Sequence, residues 1–316
     1  MELDNKFENL LSVGIISGKG GVGKTSLTAS LASLAKNDPQ IQAMILDCDV
    51  DAPNLALILP PESENDIKTQ DTYTTLKATL LEEKCIHCKQ CIDEQFCEFN
   101  ALNWDDSNST PKINYLACEG CGACRVLCPE HAFEINPVKS GEIISYETKM
   151  GLPLVYGKTR LGSTTSGKLV SESKEYAKNL KEYENSNLII IDGPPGIGCP
   201  VIATVSGLDY IITITEPTPS GLHDLERAIE VVKQFEIPFG IVINKSDIKS
   251  SFQEKFENFI IETKYKILGR IPFDLNIPRA MSYAKTVVEF AESSPASLEI
   301  RKIYEKLKNE LNFAKK

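Results

Sequence analysis

The sequence has no long apolar run and no excess of positive charge. No stretch approaches the ~18 consecutive apolar residues of a membrane helix, so we expect no stable membrane insertion. The 316 residues include 44 acidic and 34 basic side chains, and a formal net charge of −10 argues against a nucleic-acid partner bound through a broad basic face. The first nine residues are polar and acidic rather than a secretion signal, and we expect a cytoplasmic protein.

Histidine is scarce, whereas cysteine is abundant. The chain has three histidines, of which His87 and His131 are expected to be solvated and His223 structural. Eight of its ten cysteines fall between Cys85 and Cys128. In a reducing compartment such clustering indicates metal rather than disulfides. With 42% hydrophobic residues, the chain is globular and long enough for one large α/β domain and a smaller one.

A glycine-rich stretch near the start fits a phosphate-binding loop. Residues 18–25 match the pattern G-x-x-x-x-G-K-[ST], between a short apolar run that predicts a buried strand and a leucine spacing that predicts a helix. Lys24 should reach the β- and γ-phosphates, and Thr25 should hold Mg²⁺ through its hydroxyl. The predicted nucleotide contacts in this stretch are Gly18, Lys19, Gly20, Gly21, Val22, Gly23, Lys24, Thr25 and Ser26.

The full stretch, Gly-Lys-Gly-Gly-Val-Gly-Lys-Thr, resembles the deviant phosphate loop of the MinD, Mrp and nitrogenase-iron-protein class of ATPases. The resemblance implies ATP as the nucleotide and a doubly wound, mostly parallel α/β sheet. In that class the early lysine crosses a dimer interface to the partner's nucleotide. The resemblance therefore implies a catalytic role for Lys19, and it implies that the protein forms a homodimer or a heterodimer with a paralogue. The alternative is that Lys19 is a solvated loop lysine.

Aspartates follow two of the predicted strands. Asp47 and Asp49 come after the apolar run 41–46, and Asp192 ends the run 187–192. Ligands sit at the carboxyl ends of parallel strands, so these carboxylates should face the phosphates. The first segment resembles the first switch of the same class, which implies that Asp49 orients the attacking water and Asp47 lies near the Mg²⁺ shell. Capping of the next helix is the alternative. Asp192, before a glycine-rich second switch, should bind the Mg²⁺ shell.

A third strand end carries the predicted base contacts. The run 237–243 ends in Asn-Lys-Ser-Asp, which resembles the base-recognition segment of the class and implies a contact from Asn244 to adenine. Pro272 corresponds to a backbone contact with adenine in that class. Because the form N-K-x-D is also typical of GTPases, GTP remains an alternative nucleotide.

The clustered cysteines form two groups with a recognisable spacing. The second group matches the ferredoxin run C-x₂-C-x₂-C-x₃-C-P completely, whereas the first has an x₅ gap and Glu98 in place of proline. The pair resembles a two-cluster ferredoxin, in which the fourth cysteine of each run ligates the other cluster. The resemblance implies two [4Fe–4S] clusters. The ligands would be Cys85, Cys88, Cys91 and Cys128 for the first, and Cys97, Cys118, Cys121 and Cys124 for the second. Zinc is the rival metal.

These cysteines lie in a segment that we interpret as an inserted, small α+β ferredoxin-like domain. Residues 82–136 contain ten acidic and four basic side chains, and the ATPase domain would comprise residues 1–81 and 137–316. Cys199 follows Asp192 by seven residues, a spacing at which the nitrogenase iron protein has a cluster ligand. A transient metal site there competes with an ordinary buried cysteine. No cysteine follows Cys199, so the late Cys-x-x-Cys of cluster-carrier ATPases is missing.

Together these features predict an Mg²⁺-dependent ATPase that forms a dimer and couples its nucleotide state to two [4Fe–4S] clusters. The coupling would serve electron delivery to, or metal-cofactor assembly on, a redox or metal-cofactor-binding partner protein. An acidic, cluster-bearing face favours a basic partner. The alternative is a MinD-like positioning or assembly switch, whose clusters sense redox state or brace an insert too small to build its own core.

Overall fold

The fold comes from a computed structural model that describes residues 10–163, 166–180, 185–248 and 252–311. Residues 1–9, on which the expected lack of a secretion signal rests, lie outside these ranges. None of the described helices combines the length and the apolar character that crossing a membrane requires.

Strands and helices alternate along most of the described chain. The strands are β1 (Leu11–Ser17), β2 (Ala43–Asp47), β3 (Lys68–Thr72), β4 (Thr75–Leu80), β5 (Leu102–Asp105), β6 (Thr110–Ile113), β7 (Phe133–Val138), β8 (Gly141–Glu147), β9 (Pro153–Thr159), β10 (Leu188–Pro195), β11 (Tyr210–Thr215), β12 (Phe239–Asn244) and β13 (Ile267–Ile271). The helices are α1 (Lys24–Lys36), α2 (Leu55–Ile58), α3 (Gln90–Asp93), α4 (Ala123–Leu127), α5 (Ser166–Asn179), α6 (Cys199–Val205), α7 (Pro219–Gln234), α8 (Gln253–Thr263), α9 (Asn276–Ser282), α10 (Val287–Phe290) and α11 (Pro295–Glu310).

One large sheet confirms the predicted mostly parallel α/β fold. Its order is β13-β12-β11-β1-β10-β2-β9-β8-β3, and every neighbouring pair from β13 to β9 is parallel. The central strands read as continuous apolar runs because helices cover both faces of such a sheet. Ile190 of β10 pairs with Val13 on one side and with Ile45 on the other.

The same order brings the predicted site residues to one edge of the sheet. Strand β10 lies between β1, which leads into the phosphate loop, and β2, which ends at Asp47. Asp192 is the direct partner of Asp47 in the β10–β2 register and of Ile15 in the β10–β1 register. The fold therefore places two aspartates of the predicted magnesium site beside the loop that should hold the phosphates.

The chain divides into two compact units. The larger comprises Met1–Thr69, Ile143–Lys158 and Val170–Lys316, and the smaller comprises Gln70–Glu142 and Thr159–Leu169. The predicted insert, residues 82–136, is narrower than the smaller unit, because β4 forms an antiparallel pair with β7 from Thr75↔Val138 to Leu80↔Phe133.

The smaller unit has a small core built around cysteines. Its strands form the antiparallel pairs β4–β7 and β5–β6. Four of the clustered cysteines are themselves buried in that core, together with Phe96, Phe133 and three alanines. Thiols thus occupy positions that large apolar side chains would fill in a core of ordinary composition.

Candidate functional site

The loop between β1 and α1 has the conformation of an anion-binding turn. Gly21 and Gly23 have φ angles of 78° and 97°, in the left-handed region that a side chain would strain. A Cβ atom at Gly18 would lie 2.2 Å from the carbonyl oxygen of Asp224. Alternating right- and left-handed residues direct successive N–H groups to one anion, and α1 adds its positive dipole end.

Asp192 is joined to α1 by two hydroxyl groups. Thr25 donates from Oγ1 to Oδ2 of Asp192 at 2.6 Å, and Thr28 donates to Oδ1 at 3.1 Å. Burial raises the pKa of Asp192 to about 6, although the Thr25 hydrogen bond and the charge of Lys24 lower it. The motif identified Thr25. It missed Thr28, whose only sequence signal is a hydroxyl one helical turn further on.

Asp47 is fully buried and holds the segment that follows β2. Its Oδ1 accepts the N–H of Asp49 at 2.9 Å, and its Oδ2 accepts the N–H groups of Asn54 and Leu55 at 3.1 Å each. Burial and then the charge of Asp192 raise the pKa of Asp47 well above its usual range. Two buried, neighbouring carboxylates are stable as anions only beside a cation, a property that suits a magnesium site.

Asp49 and Lys24 are the two remaining charged residues of the predicted phosphate and magnesium site. Lys24 is buried, with 6% of its surface exposed. Burial raises the pKa of Asp49, and the nearby charge of Lys24 opposes that rise. A half-buried carboxylate at this position is suited to accept a hydrogen bond from water. Lys19 donates from Nζ to Oγ of Ser220 at 3.1 Å within its own chain, and its role in a partner's site stays a prediction.

The predicted base-recognition residues also support the phosphate loop. Asn244 donates from Nδ2 to the carbonyl oxygen of Val22 at 2.8 Å, and its Oδ1 accepts the N–H of Lys245 at 2.9 Å. Asp247 accepts the N–H of Phe273, the residue after Pro272, at 2.7 Å. These bonds bring the two segments with predicted adenine contacts together, while the contacts themselves stay predictions.

Within the smaller unit, the eight clustered cysteines surround two separate cavities. The first, of about 360 Å³ including its open mouth, is lined by Cys85, Cys88, Cys91 and Cys128. The second, of about 340 Å³, is lined by Cys97, Cys118, Cys121 and Cys124. Each cavity thus collects three cysteines of one group and the last cysteine of the other. These are the two sets that the ferredoxin resemblance implies.

The thiols of each set influence one another, and all ten cysteines are free. Burial, followed by the charges of Cys128, Cys88 and Cys85, raises the pKa of Cys91 to about 11. Burial raises the pKa of Cys124 to about 11 as well, and Cys118, Cys121 and Cys97 add to that rise. Three sulfur atoms accept backbone N–H groups at 3.3 to 3.5 Å, in the pairs Ala78–Cys118, Ala101–Cys97 and Ala132–Cys128.

Sulfur is the ligand atom that the two cavities offer to a metal. Among the described residues, no group of three or more His, Cys, Asp or Glu side chains is arranged to hold one ion. Thiols spread around a cavity, with N–H groups directed at their sulfur atoms, have the donor chemistry that iron–sulfur clusters use.

Cys199 and Cys48 have opposite environments. Cys199 is the first residue of α6, directly after the N-cap Gly198, and it is exposed, so the expectation of an ordinary buried cysteine is wrong at this position. Cys48 is fully buried, and burial raises the pKa of its thiol to about 12, while the charge of Lys174 lowers it. Lys174 itself donates to three carbonyl oxygens at the end of α6, a role that no sequence motif signals.

Comparison with known proteins places the chain in a family. The model of the CobQ/CobB/MinD/ParA nucleotide binding domain matches residues 13–287. An uncharacterized protein of Methanocaldococcus jannaschii is 38% identical over 301 residues, which cover 95% of this chain and 97% of that protein. An iron–sulfur cluster carrier protein of Pyrococcus abyssi is 25% identical over 325 residues, covering 96% and 87%.

A solved structure agrees with this placement at the level of the fold. The septum site-determining protein MinD of Pyrococcus horikoshii, complexed with Mg-ADP, matches with a TM-score of 0.56 and 17% identity, covering 94% of this chain and 96% of that one. The chain belongs to the CobQ/CobB/MinD/ParA family of nucleotide-binding domains.

Proposed function

We propose that this protein is an ATP-hydrolysing dimeric switch that couples its nucleotide state to two [4Fe–4S] clusters. The coupling serves electron delivery to a partner protein, or assembly of a metal or iron–sulfur cofactor on that partner. The observation that carries the proposal is that one chain combines a complete phosphate loop with two separate cavities, each lined by four cysteines.

The residues at the sheet edge support the ATPase part. Lys24 neutralises the transferred phosphate, and Thr25 binds Mg²⁺, with Asp192 and Asp47 in its shell. Asp49 orients the attacking water. Lys19 reaches the nucleotide of the second subunit, a homodimer partner or a paralogue, and hydrolysis then requires the dimer. The Mg-ADP in the MinD structure of the same fold is consistent with this assignment.

The cysteine cavities support the iron–sulfur part. The set Cys85, Cys88, Cys91 and Cys128 would hold one cluster, and the set Cys97, Cys118, Cys121 and Cys124 the other. A bound [4Fe–4S] cluster supplies one-electron chemistry, with a potential set by hydrogen bonds to sulfur and by exposure. The name of the Pyrococcus relative, iron–sulfur cluster carrier protein, agrees with an iron–sulfur role.

Iron and sulfide analysis of the anaerobically reconstituted full chain tests this part. Wild-type protein should hold about eight irons, and Cys128→Ser and Cys97→Ser should each lose about half by opening one cavity. Cys199→Ser is the matched control and should keep all of them. Stoichiometric zinc without sulfide would overturn the cluster assignment.

A MinD-like positioning switch is the second candidate, favoured by the match to MinD over 94% of the chain. Electron paramagnetic resonance of reduced protein, with and without Mg·ATP, separates the two candidates. Cluster signals that shift with ATP support coupling, whereas signals indifferent to ATP favour a positioning switch with structural or redox-sensing clusters. Mg·ADP serves as the control nucleotide.

A further inference from the structure

One lysine of the smaller unit is buried without a carboxylate beside it. Lys77 lies on β4 with 4% of its surface exposed. Its Nζ donates to the carbonyl oxygens of Cys118 at 2.5 Å and Gly162 at 3.2 Å. Within the described ranges, no Asp or Glu side chain forms an ion pair with it. Carbonyl dipoles offset only part of the cost of a buried charge, and no carboxylate of the described residues balances the charge of this ammonium.

Lys77 belongs to a stretch of β4 that holds the second cysteine group at three points. The N–H of Ala78 points at the Cys118 sulfur, at 3.4 Å, while Lys77 binds the carbonyl oxygen of the same cysteine. Gly120 has a φ of 63°, and a Cβ atom there would lie 2.2 Å from the carbonyl oxygen of Leu76. The positive charge therefore sits against the loop that forms the second cavity.

The first cavity also has a lysine nearby, but that lysine is exposed rather than buried. Lys89 lines it but is exposed, and its Nζ lies 5.5 Å from the ring centroid of Trp104. Each cavity also has one exposed glutamate in its lining, Glu130 at the first and Glu119 at the second. Water and salt screen exposed charges, whereas a buried charge keeps most of its field. Of these four charged residues, Lys77 alone is buried.

We propose that Lys77 is the charge partner of the second cluster and holds its reduction potential above that of the first. The inference rests on the proposed iron–sulfur function. A [4Fe–4S] cluster with four thiolates is anionic, and it gains one more negative charge when a low-potential donor gives it one electron and is itself oxidised. No bond breaks and no proton moves. A fixed positive charge stabilises the reduced form more than the oxidised form, so the first electron stays on the second cluster.

Anaerobic redox titration of the reconstituted full chain, followed by electron paramagnetic resonance, tests the inference. Cys128→Ser and Cys97→Ser assign the signals. Lys77→Gln keeps a hydrogen-bond donor but removes the charge. It should make reduction of the second cluster about tenfold less favourable, or about 59 mV for one electron, and leave the first unchanged. The matched control, Lys89→Gln, should not move the second cluster and should shift the first by less.

An unchanged second potential in Lys77→Gln at full iron content would overturn the inference. If Lys77→Gln holds only half the iron, Lys77→Arg decides: restored iron supports a charge requirement, and continued loss contradicts it. Wild-type protein without iron and sulfide is a different result, because it refutes the proposed function itself.

Discussion

Lys174 on α5 donates from Nζ to the carbonyl oxygen of Thr204, at 2.9 Å, near the end of α6. The same ammonium also binds the carbonyl oxygens of Ala203 and Ser206, at 3.0 and 2.7 Å. A cation at this position satisfies the last carbonyls of a helix and interacts favourably with its dipole. Since α6 follows the glycine-rich loop after Asp192, this lysine fixes the far end of the predicted second switch.

We therefore expect Lys174→Met to destabilise the protein. Losing a charged donor from three carbonyl groups should lower the free energy of unfolding by about 2 kcal/mol or more. Urea unfolding measures the change. Lys178→Met, one turn later on the same helix and exposed, is the matched control and should stay within about 0.5 kcal/mol of wild type. Equal effects in the two variants would mean that the α6 contact is unimportant.

The raised pKa of Asp192 predicts a pH-dependent stability. Its folded pKa of about 6 exceeds the unfolded value of 3.8, so the folded chain keeps that proton to higher pH. In metal-free protein, the contribution of this carboxyl to the free energy of unfolding should fall by up to about 3 kcal/mol as pH rises from about 4 to about 6.

Asp192→Asn carries no charge at any pH and should remove that part of the slope. Urea unfolding of both proteins between pH 4.5 and pH 6.5 tests this, and Mg·ADP should restore wild-type stability at the higher pH. Parallel stability curves for wild type and Asp192→Asn would contradict the prediction.

Substitution of the two lysines in the phosphate loop should impair ATP hydrolysis in two different ways. Lys24→Ala should reduce ATP hydrolysis at least about 100-fold, because it removes the charge that stabilises the transferred phosphate. It should leave iron content unchanged. Lys19→Ala should keep nucleotide binding but lose the part of hydrolysis that rises with protein concentration, since its proposed target lies in the second subunit. Turnover that is equal to wild type in Lys24→Ala would remove the site assignment.

The single tryptophan reports on the first cavity. Trp104 lines that cavity beside the set that includes Cys85 and Cys128. Iron–sulfur clusters absorb where tryptophan emits, so loading the first cluster should quench the fluorescence strongly. Cys128→Ser should remain bright after reconstitution, whereas Cys97→Ser, which keeps the first cluster, should still be quenched. Identical quenching in both variants would show that fluorescence does not distinguish the cavities.

Local patterns predicted the fold and much of the candidate site. The glycine loop and the strands that end at Asp47 and Asp192 follow from short motifs with fixed spacing, and the two cysteine sets follow from the resemblance to a two-cluster ferredoxin. A motif encodes its own backbone conformation and the ligand that it binds, which is why α1, β2 and β10 were predicted close to their observed positions.

Contacts between distant segments were not predictable in the same way. Thr28, Lys77 and Lys174 belong to no motif, and each acquires its partner only when separate elements pack together. The exposure of Cys199 likewise depends on how α6 begins. Such contacts cannot be predicted from sequence spacing, because the residues around a lysine in the sequence do not indicate whether its side chain is buried or solvated.

The position of β10 between β1 and β2 has a consequence for synthesis of the chain. Because β10 is the strand that joins β1 to β2, these two strands cannot become part of one sheet before residue 195 has been made, whereas the last clustered cysteine is residue 128. At roughly 5–20 residues per second, the interval lasts several seconds on the ribosome. All eight thiols are therefore synthesised before the centre of the nucleotide-binding sheet can close.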